Sequence, residues 1–502
     1  MNDYDRVPYR SHPYLLAHPD HLAAIATLHG LEPVPIEEAR VLEIGCSSGG
    51  HLLPMAASLP DATFVGVDPA TSAIEVGRRR VAELGLRNVE LLDMGIEALP
   101  SGEPFDYVVA HGVLSWVPPS VRDQLWTALG ERLSERGIAY LSFNAYPGWA
   151  MRGALCHMMR WHVRDLDEPL ARVAGARELL DVLCDSTAPT TEWGAMLHAE
   201  RKRVAGLEDW YLLHDHLSEH NHPLWFHEVD ATAHAHGLRF LAEAEPWRGG
   251  TMALSEPGRS RLPTMAGTQE ELEQYLDMAR MAVFRETLWV RATAAVQPEL
   301  HPERLRELSF TMRARRLDED GTRYRTPEGT VISATDPLAR ALLGALGDGA
   351  RSWSFDVIAQ RVGAALGEID THQLAANLLA LVVGYGVVRL HRWPRASLGT
   401  LTERPIAFSS ARAQAAAGDV RVTNLDHEGV PTDVFDRAVL ARLDGVHDRE
   451  ALTAALVALV DRGEIAVDLD RERLSADPVT AAVERRMLET LIRVARSALL
   501  VG

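Results

Sequence analysis

Apolar positions in this chain change rhythm several times. Between residues 40 and 145, short apolar runs of strand length alternate with longer stretches in which apolar residues recur every three or four positions. That alternation predicts strands and helices taking turns in an α/β sheet. Val41, Leu42 and Ile44 predict a short buried strand, and His51-Leu52-Leu53 opens a helix after it. Residues 62–68 predict a second buried strand that ends in Asp68, followed by a helix from Ser72 to Leu84 that Gly85 stops. Residues 88–92 and 105–111 read as further strands, 120–133 as a helix and 137–144 as a last strand. Upstream, an irregular arm carrying Tyr4, Tyr9 and Tyr14 leads into a periodic stretch around Leu22, Ile25 and Leu28 that ends at Gly30.

Downstream the pattern becomes helical. Residues 151–164, 177–184 and 193–204 predict three helices, either a lid or a plain connector. A second block over 206–300 predicts a helix ending at Gly237 and a strand over 238–242. Near residue 335 the texture changes again. Asp336-Pro337 reads as an N-cap followed by proline at the first helical position. Leu338, Leu342 and Ala345 share a face, helices follow over 354–362 and 369–384, and 387–391 reads as a strand. Three short helices and a hairpin make a winged-helix pattern. A second round is predicted from Pro431 to Gly463, before a terminal helix with Val483, Met487, Leu491, Val494 and Ala498 on one face. The expected organisation is four parts: 1–150, 151–205, 206–330 and 335–502.

Composition narrows the class. A chain of 502 residues, 47% hydrophobic and 24% charged, is ordinary for globular protein and long enough for two to four domains. No apolar run is long enough to span a bilayer, and the N-terminus lacks the basic and apolar regions of a signal peptide. Cys46, Cys156 and Cys184 are far apart and odd in number, which fits a reducing cytoplasm rather than a disulfide framework. A net charge of −19 disfavours a broad nucleic-acid surface and is compatible with a basic protein or peptide as substrate.

The chemistry concentrates in Glu43-Ile-Gly-Cys-Ser-Ser-Gly49-Gly50. A strand feeding a small-residue turn and a helix N-terminus lets backbone approach a nucleotide-like ligand closely. Asp68, 23 positions after Gly45, stands where a nucleotide fold places a carboxylate for ribose hydroxyls; an exposed strand-end acid is the plainer alternative. Glu43 gains nothing from a pyrophosphate but suits a cation, such as the amino group of a methionine-derived sulfonium. That acid, and Ser47 within the loop, argue against a nicotinamide dinucleotide. His216 and His220 would share a helix face as a metal pair, yet they lack a cysteine or a defined third-ligand spacing, so no metal is expected.

Several runs are more specific than the glycine loop. Gly66-Val-Asp68, His111-Gly-Val-Leu-Ser-Trp116-Val-Pro, Asn144-Ala-Tyr146-Pro-Gly-Trp149, the arm Val7-Pro-Tyr9-Arg-Ser-His-Pro13-Tyr14 and the run Tyr211–Phe226 together resemble one family. It is the class I S-adenosylmethionine (AdoMet)-dependent methyltransferases with an added methyltransferase regulatory domain, among them bacterial protein-lysine methyltransferases of outer-membrane proteins. The resemblance implies a Rossmann-like sheet, then a mostly helical regulatory domain and a C-terminal winged-helix-like region. It also implies a closing helix of the regulatory domain, running from Tyr275 through Arg280 and on from Phe284 to Leu288, and AdoMet as cofactor. Glu43 would take its amino group, and Gly45, Cys46 and Gly49 would give close backbone approach. Asp68 and Pro69 would flank the ribose, and Met94, Gly95 and Ile96 the adenine. Gly95 departs from the family, many of whose members carry there an acid for the adenine amino group. Tyr9 would close over the donor. His111 is expected to act as a base or acceptor-orienting group, or else to contact the donor's methionine portion. Tyr146 and Trp116, with Trp149, would form an aromatic wall, core packing being the alternative for Trp149.

The reading that follows is an AdoMet-dependent methyltransferase acting on a protein or peptide nitrogen, with lysine favoured. The alternatives are a natural-product or peptide carboxyl O-methyltransferase and a non-catalytic AdoMet-binding regulator.

Overall fold

The computed structural model describes residues 6–7, 11–251, 254–297, 299–327, 329–347, 349, 351–393, 401–469 and 477–501. Helix α1 (Pro19–Leu28) leads into β1 (Arg40–Ile44), α2 (Leu52–Ser58), β2 (Thr63–Asp68), α3 (Thr71–Leu84), β3 (Val89–Asp93), β4 (Phe105–Ala110), α4 (Pro119–Arg132) and β5 (Leu133–Asn144). Each expected strand and helix of this half is present, with ends shifted by a few residues. Gly85 closes α3 at φ +64°, the left-handed stop that its position predicts. Strands β1 to β5 are parallel. Val41, Phe64, Tyr107 and Tyr140 pack on one face, while Leu42, Ile44, Val108 and Leu141 pack on the other. That two-sided burial is why the strands read as continuous apolar runs.

The sheet does not stop at β5. Three helices, α5 (Gly148–His162), α6 (Pro169–Asp185) and α7 (Glu192–Ala205), follow it with a core of their own around Leu155, Met159 and Leu180. The chain then returns through α8 (Phe226–Ala235), β6 (Leu238–Glu243), α9 (Glu256–Met265), α10 (Gln269–Arg280) and β7 (Phe284–Arg291). Strand β7 inserts antiparallel between β5 and β6, giving the order β3-β2-β1-β4-β5-β7-β6. Residues 284–288 are therefore a strand, not the helix that the sequence suggests. Helix α10 ends at Met281 in a left-handed conformation (φ +52°), and the extended chain beyond it finds open edge positions on β5. The polar pair Arg285-Glu286 disguises the strand, because its arginine is buried by charge and not by apolarity.

Arg285 is 3% exposed. Its Nε donates to Glu243 Oε1 at 2.6 Å, and its terminal nitrogens reach Glu273 at 2.7 Å and Asp277 at 3.1 Å. Burial pushes the carboxyl of Glu273 up to about 7 and that of Asp277 up to about 6; Arg285 opposes both rises and Glu243 adds to them. One guanidinium thus clamps α10 across β6 and β7.

Beyond β7, β8 (Ser309–Met312), the meander β9 (Arg315–Arg316), β10 (Arg323–Arg325) and β11 (Val331–Ser333), α11 (Pro337–Leu346), β12 (Trp353–Ser354), α12 (Phe355–Leu366), α13 (Thr371–Val383) and β13 (Val388–His391) build a second unit. Asp336 caps α11 through Ala339 N–H, as its sequence predicts. The expected hairpin takes another form: β13 and β12 both pair with β8, from upstream of the three helices. This unit shares one apolar core with the sheet, joined by α1, all of whose residues are buried. The last unit, α14 (Ser409–Ala416), the hairpin β14 (Arg421–Thr423) and β15 (Gly429–Pro431), α15 (Val434–Leu440), α16 (Arg449–Asp461) and α17 (Pro478–Arg496), has its own core, with Val483, Met487, Leu491 and Val494 on the inner face of α17. No helix among the described residues is long and apolar enough to cross a membrane.

Replacing Arg285 with methionine strands three buried carboxylates without their cation. We expect a loss of about 3–5 kcal/mol in urea unfolding followed by circular dichroism; a change below about 1 kcal/mol would show that the clamp is dispensable.

Candidate active site

Strand β1 pairs with β2 on one side and β4 on the other, so their carboxyl ends lie together and their loops frame one crevice. After Ile44 the backbone turns through Gly45 (φ +76°), Ser47 (+49°) and Gly49 (+77°) into α2. A Cβ at Gly45 would press on Val113 at 2.8 Å, and one at Gly50 would overlap the Ser11 carbonyl. Ser47, a non-glycine residue in the left-handed region, is held there by its N–H donating to Asp68 Oδ2 at 2.8 Å. Cys46 turns inward: its sulfur packs against Gly66 and burial raises its thiol pKa, so this residue offers backbone alone to the crevice.

Glu43 is 4% exposed, and its Oε2 has no hydrogen-bond partner. Burial first, and then the charge of Asp68, push its carboxyl well above the usual range. A dry acid with a vacant oxygen is a receptor for a cation, and the ammonium of AdoMet fits that demand. Asp68 accepts Ser47 N–H on Oδ2 and Ala70 N–H on Oδ1, both at 2.8 Å. Each oxygen keeps a lone pair that suits a ribose hydroxyl. Burial raises the Asp68 pKa, and the two backbone donors oppose the rise. Pro69, next along the loop, is exposed. Met94 N–H donates to the Asp68 carbonyl at 3.1 Å, Gly95 caps the short turn Ile96–Ala98, and Ile96 is buried. The carboxylate of Glu97, which sequence reasoning passed over, folds back into the space that a side chain at Gly95 would fill. Tyr9 lies outside the described residues.

His111 follows β4. Its Nδ1 lies 2.9 Å from Tyr140 Oη, and Tyr140 donates to Glu286 Oε1 at 2.8 Å. With Tyr140 donating onward, His111 Nδ1 carries the proton and Nε2 is left as an acceptor. Burial pushes the imidazole down to about 3 and the Glu286 carboxyl up to about 7, so His111 is neutral at ordinary pH. Tyr14 stacks on the imidazole with 3.6 Å between ring centroids, and Phe284 meets it edge-on at 6.0 Å. Phe284 and Glu286 alternate on one face of β7 while Arg285 faces the clamp below.

The run from Tyr211 to Phe226, which holds His216 and His220, is tied to the loop after β4 and the end of β5. A π-type turn over Leu212–His216 ends at Leu217, and no helix follows before Phe226, so His216 and His220 share no helix face. His216 is buried against Arg203 and Asp215, whereas His220 is exposed. Asn144 Nδ2 donates to Asn221 Oδ1 at 2.9 Å, His222 N–H to the Ser115 carbonyl at 2.8 Å and Leu224 N–H to the Asn144 carbonyl at 2.9 Å. These bonds seat Trp225 against Tyr146, ring centroids 5.4 Å apart. The expected trio of Tyr146, Trp116 and Trp149 is not assembled. Trp149 is 4% exposed under the Arg152 guanidinium. Trp116 is half-buried on the loop after β4, and among the described residues no ring contact links it to Tyr146.

Three family models match in chain order: "Methyltransferase domain" over residues 42–139, "Predicted methyltransferase regulatory domain" over 208–291 and "PKMT, C-terminal winged helix domain" over 403–499. The chain is 29% identical over 494 residues to the Rickettsia prowazekii protein RP789, covering 94% of this chain and 89% of that one. It is 35% identical over 240 residues to RP028 of the same organism, covering 47% of this chain and 96% of that one. A structure of PKMT2 from Rickettsia typhi in complex with S-adenosylhomocysteine (AdoHcy) superimposes with a TM-score of 0.87 at 26% identity, covering 99% of this chain and 100% of the other. The chain belongs to the class I AdoMet-dependent methyltransferases with a regulatory domain. In this methyltransferase the regulatory match contains β6 and β7, so that segment completes the catalytic sheet in addition to flanking it.

Glu43→Gln removes the charge while keeping the shape. We expect calorimetry to show AdoHcy binding weakened about tenfold or more, the cost of losing a hydrogen bond to a charged group. Thermal stability should hold or rise, because a desolvated acid is gone. Unchanged affinity would contradict the assignment.

Proposed function

We propose that this methyltransferase transfers the methyl group of AdoMet to the side-chain amine of a protein or peptide, with lysine the favoured acceptor. The observation that carries this reading is the joining of residues 221–225 to the loop after β4 and the end of β5, which sets Trp225 against Tyr146. Aromatic rings favour a nitrogen that becomes cationic as the new bond forms. The resemblance over almost the whole chain to PKMT2, which was solved with AdoHcy, supports the same reading. So does the net charge of −19, which suits a basic polypeptide.

In this account Glu43 pairs with the donor's ammonium, Asp68 holds its ribose hydroxyls, and the backbone of Gly45, Cys46 and Gly49 comes close to it. Met94, Gly95 and Ile96 flank the adenine, with the Glu97 carboxylate beside them. The acceptor nitrogen must arrive neutral, with its lone pair in line with the carbon–sulfur bond that breaks as the nitrogen–carbon bond forms; its surplus proton then leaves to solvent. His111 Nε2, neutral and proton-free, orients an N–H within the crevice. Tyr146, with Trp225 against it, shields the amine. An amine with an ordinary lysine pKa is mostly protonated at pH 7, so exclusion of water around it contributes to the rate.

Labelled AdoMet incubated with a lysate from a strain lacking the enzyme tests the acceptor. Label mapped to lysine nitrogen in a polypeptide is expected; label confined to small molecules or to carboxyl groups would contradict the reading.

The pH dependence tests the site. Protonating Glu286 lets the network reverse and puts a proton on His111 Nε2, so activity should fall below the Glu286 value of about 7. We expect log kcat/KM to rise with slope about 2 below pH 7 and about 1 above it, the second unit coming from the amine itself. Glu286→Gln should leave a slope of about 1 throughout; an unaltered profile in that variant would remove Glu286 from the account.

A further inference from the structure

The hairpin β14–β15 belongs to the C-terminal unit, yet its tip is buried against the donor loop. Asn424 N–H donates to the Glu428 carbonyl at 3.0 Å, and Asn424 Oδ1 accepts Glu428 N–H at 2.7 Å, which closes the turn. His427 stands at the apex with φ +60° and is 2% exposed. A left-handed, non-glycine residue at the point of deepest insertion is a costly choice unless its side chain is needed there. Around it the junction is pinned by Arg389 to Glu428 at 2.7 Å and by Arg80 to Asp419 at 3.3 Å.

The imidazole of His427 meets His51, the residue that links the glycine turn to α2. His427 Nε2 lies 2.7 Å from His51 Nδ1, and the rings meet edge to face at 4.6 Å. The same Nδ1 accepts the backbone N–H of Tyr14 at 3.1 Å. Because Nδ1 already accepts from Tyr14, the His427 nitrogen is the donor, and His51 carries its own proton on Nε2. Tyr14 in turn lays its ring on His111. A continuous path therefore runs from His427 through His51 and the Tyr14 backbone to the imidazole in the crevice, across 376 residues of sequence.

We propose that His427 is a positioning residue for methyl transfer: the C-terminal unit reaches through it to set Tyr14, and through Tyr14 to set the His111 wall of the donor site. The winged-helix unit is thereby part of the donor site's construction. Helix α14 packs on α2 and α3 behind the same loop, which gives the hairpin a fixed base. The path ends on groups assigned under the preceding reading only at His111; its effect on donor binding does not depend on which acceptor is methylated.

The test uses the full chain with AdoHcy as probe. His427→Asn tolerates the left-handed backbone but is too short to reach His51, whereas His427→Gln returns an N–H near the original Nε2. We expect His427→Asn to weaken AdoHcy binding about fivefold, the worth of one buried hydrogen bond, and His427→Gln to bind within about twofold of the parent. In a cycle with Tyr14→Ala, the double variant should bind no more weakly than Tyr14→Ala alone, because both changes break one path. A folded His427→Asn protein with parental affinity, failure of glutamine to rescue, or additive losses in the cycle would each overturn the proposal. Loss of AdoHcy binding in the parent itself would instead defeat the donor-site reading on which it rests.

Discussion

Seven consecutive residues of β5, Ile138 to Asn144, pair antiparallel with β7, Val290 back to Phe284, and the active site depends on that ladder. It carries a segment from beyond residue 280 into the sixth place of a seven-stranded sheet whose first five strands lie before residue 145. Strand pleating then divides the work between the faces of β7. Arg285 turns down into a cage of three carboxylates and locks the strand in register. Phe284 and Glu286 turn the other way, toward His111 and Tyr140. A slip of one residue would exchange the two faces and dismantle both the clamp and the proton network.

Charge burial recurs across the site with a consistent logic. Glu43 and Asp68 are acids held away from water beside each other, and both carboxyls are pushed upward as a result. Such a pair disfavours the empty crevice and favours one that holds a positive ligand. His111 is the counterpart: burial strips its charge, leaving an uncharged acceptor where a proton would repel a sulfonium. The fold accepts destabilised groups at the strand ends and places its apolar cores on either side of the sheet.

What the sequence revealed follows from how local each signal is. Asp68 and the turn from Gly45 to Gly49 were legible because a strand, a tight turn and a helix lie within one βαβ unit, where spacing fixes position. Residues 284–288 read as helix because the buried positions of β7 include an arginine and a threonine, so the alternation of a strand was masked by charge. The aromatic partner of Tyr146 proved to be Trp225, which only the pairing of residues 221–225 with the end of β5 could disclose. Tyr14 stood out only as part of the arm and His51 only as the start of a helix, and His427 carried no signal. Their meaning is a set of contacts between three distant stretches, and no periodicity marks such contacts.

The claim beneath all of this is that the ends of β1, β2 and β4 hold AdoMet through Glu43 and Asp68. A crystal structure of the full chain soaked with AdoHcy addresses it in a single observation. The account predicts the ligand's ammonium within hydrogen-bonding distance of Glu43 Oε2 and its ribose hydroxyls on Asp68. Ordered ligand bound elsewhere, or lying in this crevice with the ammonium turned away from Glu43, would contradict it.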